Sequence, residues 1–207
     1  MSCIIAIATD RGIFMGADSA STAVGDQRGM SQITTRNKKA FKRGSILVGA
    51  VGSVRLLNIL ANLLKWNDIL QVANVEKDTE TIIQGIVEGI REAAKDRGFT
   101  KKDNDQETIF GQVLLAYRAR LFEVQADLGV LEPSAGYDAI GSGTDVAMGS
   151  LHTTDGADIP PKDRILAALQ ATAEFTALVR PPFTFERVVY RTRSQGQRTG
   201  TTGRAKR

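Results

Sequence analysis

Three polar residues near the amino terminus have the types and the spacing that acyl-transfer chemistry needs. Ser2 supplies a hydroxyl, and Asp18 directly follows the apolar run from Ile13 to Ala17. Lys39 begins a later apolar segment, and a carboxylate beside its ammonium would keep both groups charged and the ammonium fixed. If Met1 is removed, the α-amino group of Ser2, with a reference pKa of about 8, can act as general base for its own hydroxyl. The trio therefore predicts a serine nucleophile that needs no histidine.

Neighbouring residues leave alternatives open. Lys38 competes with Lys39 for the place beside Asp18, and an Asp–Lys pair can equally be a structural ion pair. We expect Lys39, at the end of a strand, to be exposed. Cys3 faces away from the serine on an extended strand, which favours a buried core position. His152 has no motif partner, which disfavours a Ser-His-Asp triad.

Composition and charge restrict the class of protein. The chain has 207 residues, 42% of them hydrophobic and 24% charged, and we expect one globular domain over residues 1–190. Residues 191–207 hold six Lys or Arg and no acidic residue, so the net charge of +4 becomes about −2 for the first 190 residues. We therefore expect a disordered basic tail and a body that does not bind nucleic acid.

The cysteine and histidine content restricts metal and redox chemistry. One cysteine cannot form an intrachain disulfide, and one cysteine with one histidine cannot form the usual four-ligand zinc site. The sequence contains no secretory signal pattern and no apolar stretch long enough to span a membrane. We expect a cytoplasmic protein without metal, cofactor or membrane association.

The order of apolar segments predicts antiparallel sheets with helices outside them. Clustered hairpins rather than alternating strands and helices favour antiparallel pairing, and two helix pairs favour a helix layer on each of two packed sheets. The expected fold is α+β, a four-layer α/β/β/α sandwich with two antiparallel sheets between helix layers. The segments are strands Ser2–Ala8 and Gly12–Ala17, a polar loop Ala20–Asn37, strands Lys39–Lys42 and Ser45–Val51, helices Val54–Lys65 and Asp78–Arg97, strands Ile109–Tyr117, Ala119–Leu128 and Gly136–Ile140, helices Thr144–His152 and Pro161–Thr176, and strand Phe183–Tyr190.

The first predicted helix carries apolar residues on more than one stripe. The stripe assigned to the core begins at Val54 and Leu57, and a second set, Leu56, Ile59 and Leu63, falls between its positions. A helix in an outer layer has one side toward solvent. The second stripe is therefore expected to be covered by another subunit.

Three stretches resemble proteasome β subunits and the related HslV-type bacterial peptidases. SCIIAIATDRGIFMGADS resembles the family's opening, in which a nucleophilic Thr or Ser precedes an Asp by sixteen positions, the spacing of Ser2 and Asp18. KKAFKRGSILVGAVGSVR is similar to the segment that runs from a catalytic Lys to a glycine turn before the first helix, which places Lys39 and Gly52. YDAIGSGTDVAMGSL resembles the family's G-S-G turn and helix, and matches Ser142 to the serine near the nucleophile.

The resemblance covers roughly residues 2–190 and implies an N-terminal-nucleophile hydrolase that cleaves polypeptides, a threonine-type endopeptidase with serine as nucleophile. It implies that Lys39, held by Asp18, lowers the pKa of the Ser2 hydroxyl, and that the Gly52 N–H stabilises the oxyanion. It also implies a homo-oligomeric ring or stacked rings, and leaves open whether an ATPase unfoldase delivers substrate. Two alternatives remain: a catalytically inactive structural or assembly protein, and an amidase acting on a small amide.

The chain departs from the family after its last long helix. Family members carry a further Asp and Ser there, in an R-D-A-x-S-G-like run, whereas this chain reads AEFTALVRPPF. Glu174 and Thr176 are the candidate stand-ins.

Overall fold

A computed structural model describes residues 2–25, 29–75, 78–103 and 106–190. The predicted basic tail, residues 191–207, lies outside the described residues. In chain order the elements are β1 (Cys3–Thr9), β2 (Gly12–Ala17), β3 (Ala20–Gly25), β4 (Gly29–Thr34), β5 (Ala40–Arg43), β6 (Ile46–Gly52), α1 (Val54–Asn62), α2 (Trp66–Val75), α3 (Thr79–Asp96), β7 (Lys101–Asp103), β8 (Gln106–Thr108), β9 (Gly111–Tyr117), β10 (Arg120–Val124), β11 (Val130–Leu131), β12 (Tyr137–Gly141), α4 (Thr144–Thr153), α5 (Pro161–Phe175) and β13 (Thr184–Val189).

Most of the described strands belong to two antiparallel sheets. Sheet I has the strand order β12-β1-β2-β13, and sheet II has the order β11-β10-β9-β6-β5. The strands of each sheet pair antiparallel throughout. This confirms the predicted mixture of helices and antiparallel sheets. The β3–β4 and β7–β8 hairpins each form a separate two-stranded sheet.

The sequence of β1, CIIAIAT, is apolar without alternation because both of its faces are buried. Ile4 and Ala6 pack in a cluster shared with sheet II, whereas Ile5 and Ile7 pack in a cluster shared with α4 and α5. A strand covered on both faces needs apolar residues at every position. The unbroken apolar run therefore marks the middle of the molecule.

The packing of α5 on sheet I depends on a glycine. A Cβ atom at Gly16 of β2 would lie 2.4 Å from Ile165 Cγ2, so a larger residue would push the helix away. Ile165 and Leu169 of α5 are fully buried in the same cluster. The close approach lets the helix cover the outer face of β1 and β2.

On the other side of the molecule, α1 and α3 cover sheet II. Val48 of β6 and Leu115 of β9 belong to a large cluster with Ile59, Ile83 and Ile86 of these helices. Asp78 caps α3 by accepting a hydrogen bond from the Thr81 N–H at 3.2 Å. The cluster holds the helices over the strands that end near Gly52.

The interpretation of the apolar stripes on α1 is wrong for two of its three residues. Leu56 is 0% exposed and Ile59 is 1% exposed, because both pack in the core under the helix. Leu63 is 42% exposed, and Val54, which was assigned to the core, is 49% exposed. Leu57 and Leu60 of the stripe assigned to the core are buried too, so the buried face of α1 is wider than predicted. Leu56 and Ile59 are therefore not free to contact another subunit.

Besides the short strands β7, β8 and β11, the β3–β4 hairpin and α2 were not predicted. The polar segment expected to be a loop forms the β3–β4 hairpin, which begins two residues after Asp18. The segment after α1 forms a separate helix, α2, whose first residue Trp66 is buried and donates its Nε1–H to the Leu60 carbonyl at 2.6 Å. Polar strands and short helix breaks leave weak periodicity, which is why the sequence pattern missed both.

Candidate active site

The β1–β2 hairpin brings Ser2 and Asp18 to one end of sheet I. Ile4 lies opposite Ala17 in the register, so the residues flanking these two strands meet at that edge. The Cys3 N–H donates to Asp18 Oδ1 at 3.0 Å, and the Asp18 N–H donates to the Cys3 carbonyl at 3.3 Å. Asp18 is thus bonded to the residue that follows Ser2.

Lys39 is the cation that balances Asp18. Its Nζ lies 2.9 Å from Asp18 Oδ1 and also donates to the Ala20 carbonyl oxygen. The second carboxylate oxygen, Oδ2, accepts from the Ala20 N–H at 3.0 Å. Both oxygens of this buried carboxylate therefore have partners, and the lysine is held from two sides.

The Asp18–Lys39 pair is buried, contrary to the expectation of an exposed strand-end lysine. Asp18 is 1% exposed and Lys39 is 7% exposed. Burial lowers the pKa of Lys39 from its usual range, and the charge and hydrogen bond of Asp18 partly oppose that shift. Replacing Lys39 by Ala would therefore disturb the fold, because it would leave the carboxylate buried without its cation.

Lys38 and Lys39, which directly precede β5, have different surroundings. Lys38 forms a 2.9 Å ion pair with Glu186 of β13, and its side chain is 61% exposed. The pair bridges the edges of the two sheets at the surface. Lys39 is therefore the lysine placed beside Asp18.

Ser2 and Lys39 line one small cleft of about 60 Å³, together with the end of β6 and the start of α1. Gly52, the last residue of β6, has a φ of +98° and lies in the wall of this cleft. A Cβ atom there would lie 2.6 Å from Gly111 Cα of β9, so the position requires glycine. The structure thus places Gly52 at the same cleft as Ser2.

Ser142, the residue directly after β12, contacts the backbone of Ser2. The Ser142 hydroxyl donates to the Ser2 carbonyl at 3.3 Å. Gly141, which lies opposite Cys3 in the β1–β12 register, has a φ of +104°. A Cβ atom at Gly141 would lie 2.2 Å from the Ser2 carbonyl oxygen, so this turn is packed directly against the first described residue.

Cys3 and His152 take no part in this site. Cys3 is fully buried on the opposite face of β1, and burial raises the pKa of its thiol to about 12. His152 is exposed near the end of α4, with its Nδ1 3.2 Å from the Tyr137 hydroxyl. Neither residue has the position of a nucleophile or of a base for Ser2.

The candidate stand-ins for the missing Asp and Ser point elsewhere. Glu174 is exposed near the end of α5, and the Thr176 hydroxyl donates to the Thr172 carbonyl at 2.8 Å. Sequence reasoning missed Arg180 in the same segment. Its Nη1 donates to the carbonyl oxygens of Ala173 and Thr176 at the end of α5, both at 2.8 Å, and to that of the preceding residue, Val179, at 2.9 Å. The Arg180 carbonyl accepts from the N–H of Ser19, so this segment supports the turn that carries Asp18.

Two observations concern other kinds of site. Among the described residues, no group of three or more His, Cys, Asp or Glu side chains could hold a metal ion. Across the same part of the chain, every helix is too short or too polar to cross a membrane.

The fold is that of proteasome-like proteins, the family that the sequence motifs resemble. No protein-family model matches the sequence, and no curated protein sequence matches it. Solved structures do match. BPH of Thiobacillus denitrificans, in complex with epoxomicin, is 20% identical with a TM-score of 0.73, over 90% of this chain and 98% of that chain.

Two other neighbours have the same fold. Eukaryotic HslV from Trypanosoma brucei is 13% identical with a TM-score of 0.67, over 91% of this chain and 99% of that chain. A Gly-1 mutant of Anbu from Hyphomicrobium sp. strain MC1 is 17% identical with a TM-score of 0.66, over 92% and 85% of the two chains. These likenesses confirm the proteasome-like fold. The activity of this chain has to be inferred from its own residues.

Proposed function

We propose that this protein is a proteasome-like N-terminal-nucleophile hydrolase that cleaves peptide bonds with Ser2. The observation that carries the proposal is the shared cleft: Ser2 lines it together with Gly52 and with a lysine that is held by a buried carboxylate. A purely structural ion pair would not need a serine at the same cleft. The spacing of the sequence motifs supports the same reading.

In the proposed mechanism, removal of Met1 frees the α-amino group of Ser2. The amine takes the proton from the Ser2 hydroxyl, directly or through a water molecule, as Oγ attacks the substrate carbonyl. The Lys39 ammonium favours the developing alkoxide, and Asp18 keeps the ammonium in position. The Gly52 N–H stabilises the tetrahedral oxyanion, the leaving amine takes up the proton, and water then hydrolyses the acyl-enzyme.

Ser142 has a supporting part in this proposal. Its hydroxyl donates to the Ser2 carbonyl, which fixes the backbone of the nucleophilic residue. A fixed backbone limits the orientations of the amine and the hydroxyl that must exchange a proton.

The proposal includes an architecture and an assembly. Three apolar clusters, one between the sheets and one under each helix group, support a four-layer α/β/β/α sandwich. We infer a homo-oligomeric ring or stacked rings in the cytoplasm, with unfolded polypeptide as substrate. The helices over sheet II could form a subunit contact through α2, where Val72 is 50% and Val75 is 80% exposed. These exposed apolar side chains support such a contact better than the side chains of α1 do.

The amino terminus and the nucleophile can be tested together. Intact-mass spectrometry of the purified chain should show loss of Met1, and an electrophile that reacts with both the amine and the hydroxyl of an N-terminal Ser should add once. Epoxomicin, the ligand of the Thiobacillus denitrificans BPH structure, is the first compound to try. After the same treatment, the Ser2→Ala variant should show only its own unlabelled mass. A chain that retains Met1 and hydrolyses no peptide would contradict the proposal.

A catalytically inactive assembly protein is the second candidate. The observation in its favour is that Glu174 and Thr176 do not replace the Asp and Ser that family members carry. It predicts a ring by light scattering with no labelling of Ser2. An amidase for small amides predicts the reverse: labelling of Ser2 in a protein that does not enclose a chamber.

A further inference from the structure

A second buried carboxylate, Asp138, lies in β12 and takes no part in the proposed mechanism. Its neighbours Tyr137 and Ala139 pack toward α4 and α5, so Asp138 faces the gap between the two sheets, as Ile140 does. Asp138 is 8% exposed. A carboxylate at this position is largely removed from water.

One oxygen of Asp138 is left without a hydrogen bond. Oδ1 accepts from the N–H of Ala139 at 2.8 Å, whereas Oδ2 is buried with no partner among the described residues. An ionised carboxylate in that position would carry a large desolvation cost. A protonated carboxyl group would carry much less.

The charged side chain that acts on Asp138 across the gap is also acidic. Glu123 of β10 lies opposite Leu114, a member of the cluster between the sheets, so the two share a face. Gln112 donates its Nε2–H to Glu123 Oε1 at 2.8 Å, which holds that carboxylate in place. The charge of Glu123 therefore opposes ionisation of Asp138.

The other strands against β12 supply no counter-charge. The residues of β1, β6 and β9 that face the gap beside β12 are apolar or neutral: Ile4, Ala6, Leu47, Gly49, Val51, Gln112, Leu114 and Ala116. α4 lies on the opposite face of sheet I. Burial, together with the charge of Glu123, raises the pKa of Asp138 to about 6, and the Ala139 N–H only partly opposes this.

β12 connects this carboxylate to the candidate active site. Three residues after Asp138 the strand ends at Gly141, and Ser142 then donates to the Ser2 carbonyl. β12 is also an edge strand of sheet I, held to the sheet only through β1 among the described strands. A charge that pushes β12 away from sheet II therefore acts on the strand that supports Ser2.

We propose that Asp138 and Glu123 form a proton-operated switch between the sheets, in which a neutral Asp138 packs β12 against sheet II and an ionised Asp138 loosens it. The ligand of this site is a single proton. The switch sets the packing of the Gly141–Ser142 turn, and it exists whether or not the protein is a hydrolase.

The test is the thermal unfolding of wild-type protein and Asp138→Asn between pH 4 and pH 8.5. A carboxyl whose folded pKa is raised contributes stability that is fully present below its unfolded value, near 3.8, and is lost as pH rises through about 6. Asn has the shape of Asp and stays neutral. The Tm of the variant should match the wild type near pH 4 and exceed it by about 5 °C at pH 8.

A matched control and a second variant make the result specific. Asp10→Asn changes an exposed carboxylate, and the difference between its Tm and the wild-type Tm should be the same at every pH. Glu123→Gln should give a smaller rise at pH 8, since it removes the lesser of the two causes. Hydrogen exchange at pH 8 should show β12 amides better protected in Asp138→Asn than in wild type, with β2 amides unchanged.

Three outcomes would overturn the proposal. One is a Tm difference for Asp138→Asn that does not change with pH. Another is an Asn variant that fails to fold at every pH, because a neutral isostere should be tolerated. The third is a wild-type Tm at pH 8 that rises with Ca²⁺ or Mg²⁺ and falls with a chelator, an effect absent from the variant, which would make the site a metal site.

Discussion

Asp18, at the end of β2, and Asp138, in β12, are both buried carboxylates. Asp18 accepts a hydrogen bond from Cys3, the residue after Ser2, and Asp138 lies four residues before Ser142, whose hydroxyl donates to the Ser2 carbonyl. Asp18 accepts hydrogen bonds at both oxygens and pairs with Lys39 at 2.9 Å. Asp138 has one hydrogen bond, an oxygen without a partner among the described residues, and another acid facing it. The comparison shows that burial alone does not define a carboxylate's role: the partners decide whether it stays charged or holds a proton.

The most severe test removes the cation and gives Asp18 the surroundings of Asp138. Lys39→Ala should lower peptide turnover by about 10³-fold and the free energy of unfolding by about 3–5 kcal/mol, since a buried carboxylate is left unpaired. Peptidase assays and urea unfolding at pH 7.5 measure the two effects. Unchanged stability would show that Asp18 does not depend on Lys39, and the contrast with Asp138 would fail.

Replacing each carboxylate by its neutral isostere should give opposite signs. At pH 8, Asp18→Asn should destabilise the protein by about 2 kcal/mol, because hydrogen bonds to a charged group are lost. Asp138→Asn should stabilise it at the same pH. The urea midpoints of the two variants, measured with equal m-values, provide the comparison. If both midpoints moved in the same direction, the proposed difference between the two carboxylates would be wrong.

Arg180 tests whether the turn that carries Asp18 is supported from outside the hairpin. Arg180→Met keeps the apolar stem but loses the bonds to the end of α5, and we expect about 1–2 kcal/mol of destabilisation. If the Ser19 contact positions Asp18, the kcat of Arg180→Met should fall several-fold with KM unchanged. Arg180→Lys should recover part of the lost kcat. The steady-state constants separate this from a purely structural role, in which kcat of the folded variant would equal that of wild type.

The smallest effect is expected at Lys38. Its ion pair with Glu186 is exposed, and such pairs contribute about 0–1 kcal/mol. Lys38→Ala should leave turnover within about two-fold of wild type and shift the Tm by no more than about 2 °C. Loss of activity in this variant but not in Lys39→Ala would mean that Lys38, and not Lys39, pairs with Asp18.

The sequence predicted best where neighbours in space are also close in the chain. The β1–β2 hairpin follows from two apolar runs around a glycine turn, and it carries Ser2 and Asp18 to the same end. The antiparallel sheets and most helix positions follow from similar local patterns. The β3–β4 hairpin and α2 were missed because polar strands and a short break between helices leave little periodicity.

Sequence reasoning failed where burial depends on several elements at once. The periodicity of α1 indicated an apolar helix but not that residues of both stripes are buried, so Leu56 and Ile59 were placed outside the core. Lys39 was expected to be exposed because it begins a strand. Its burial comes from β2, the Ala20 backbone and β6, which meet it only in the folded chain.

By itself, the sequence determined the runs of apolar residues, the tight hairpins and the motifs that place Ser2, Asp18, Lys39, Gly52 and Ser142. These features are local, since each depends on residue types within a few positions. The tertiary structure decided that Lys39 is buried with Asp18, that Arg180 closes the end of α5, and that Asp138 meets Glu123 instead of a cation. Electrostatic surroundings are summed over strands and helices far apart in the chain, so only the folded arrangement fixes them.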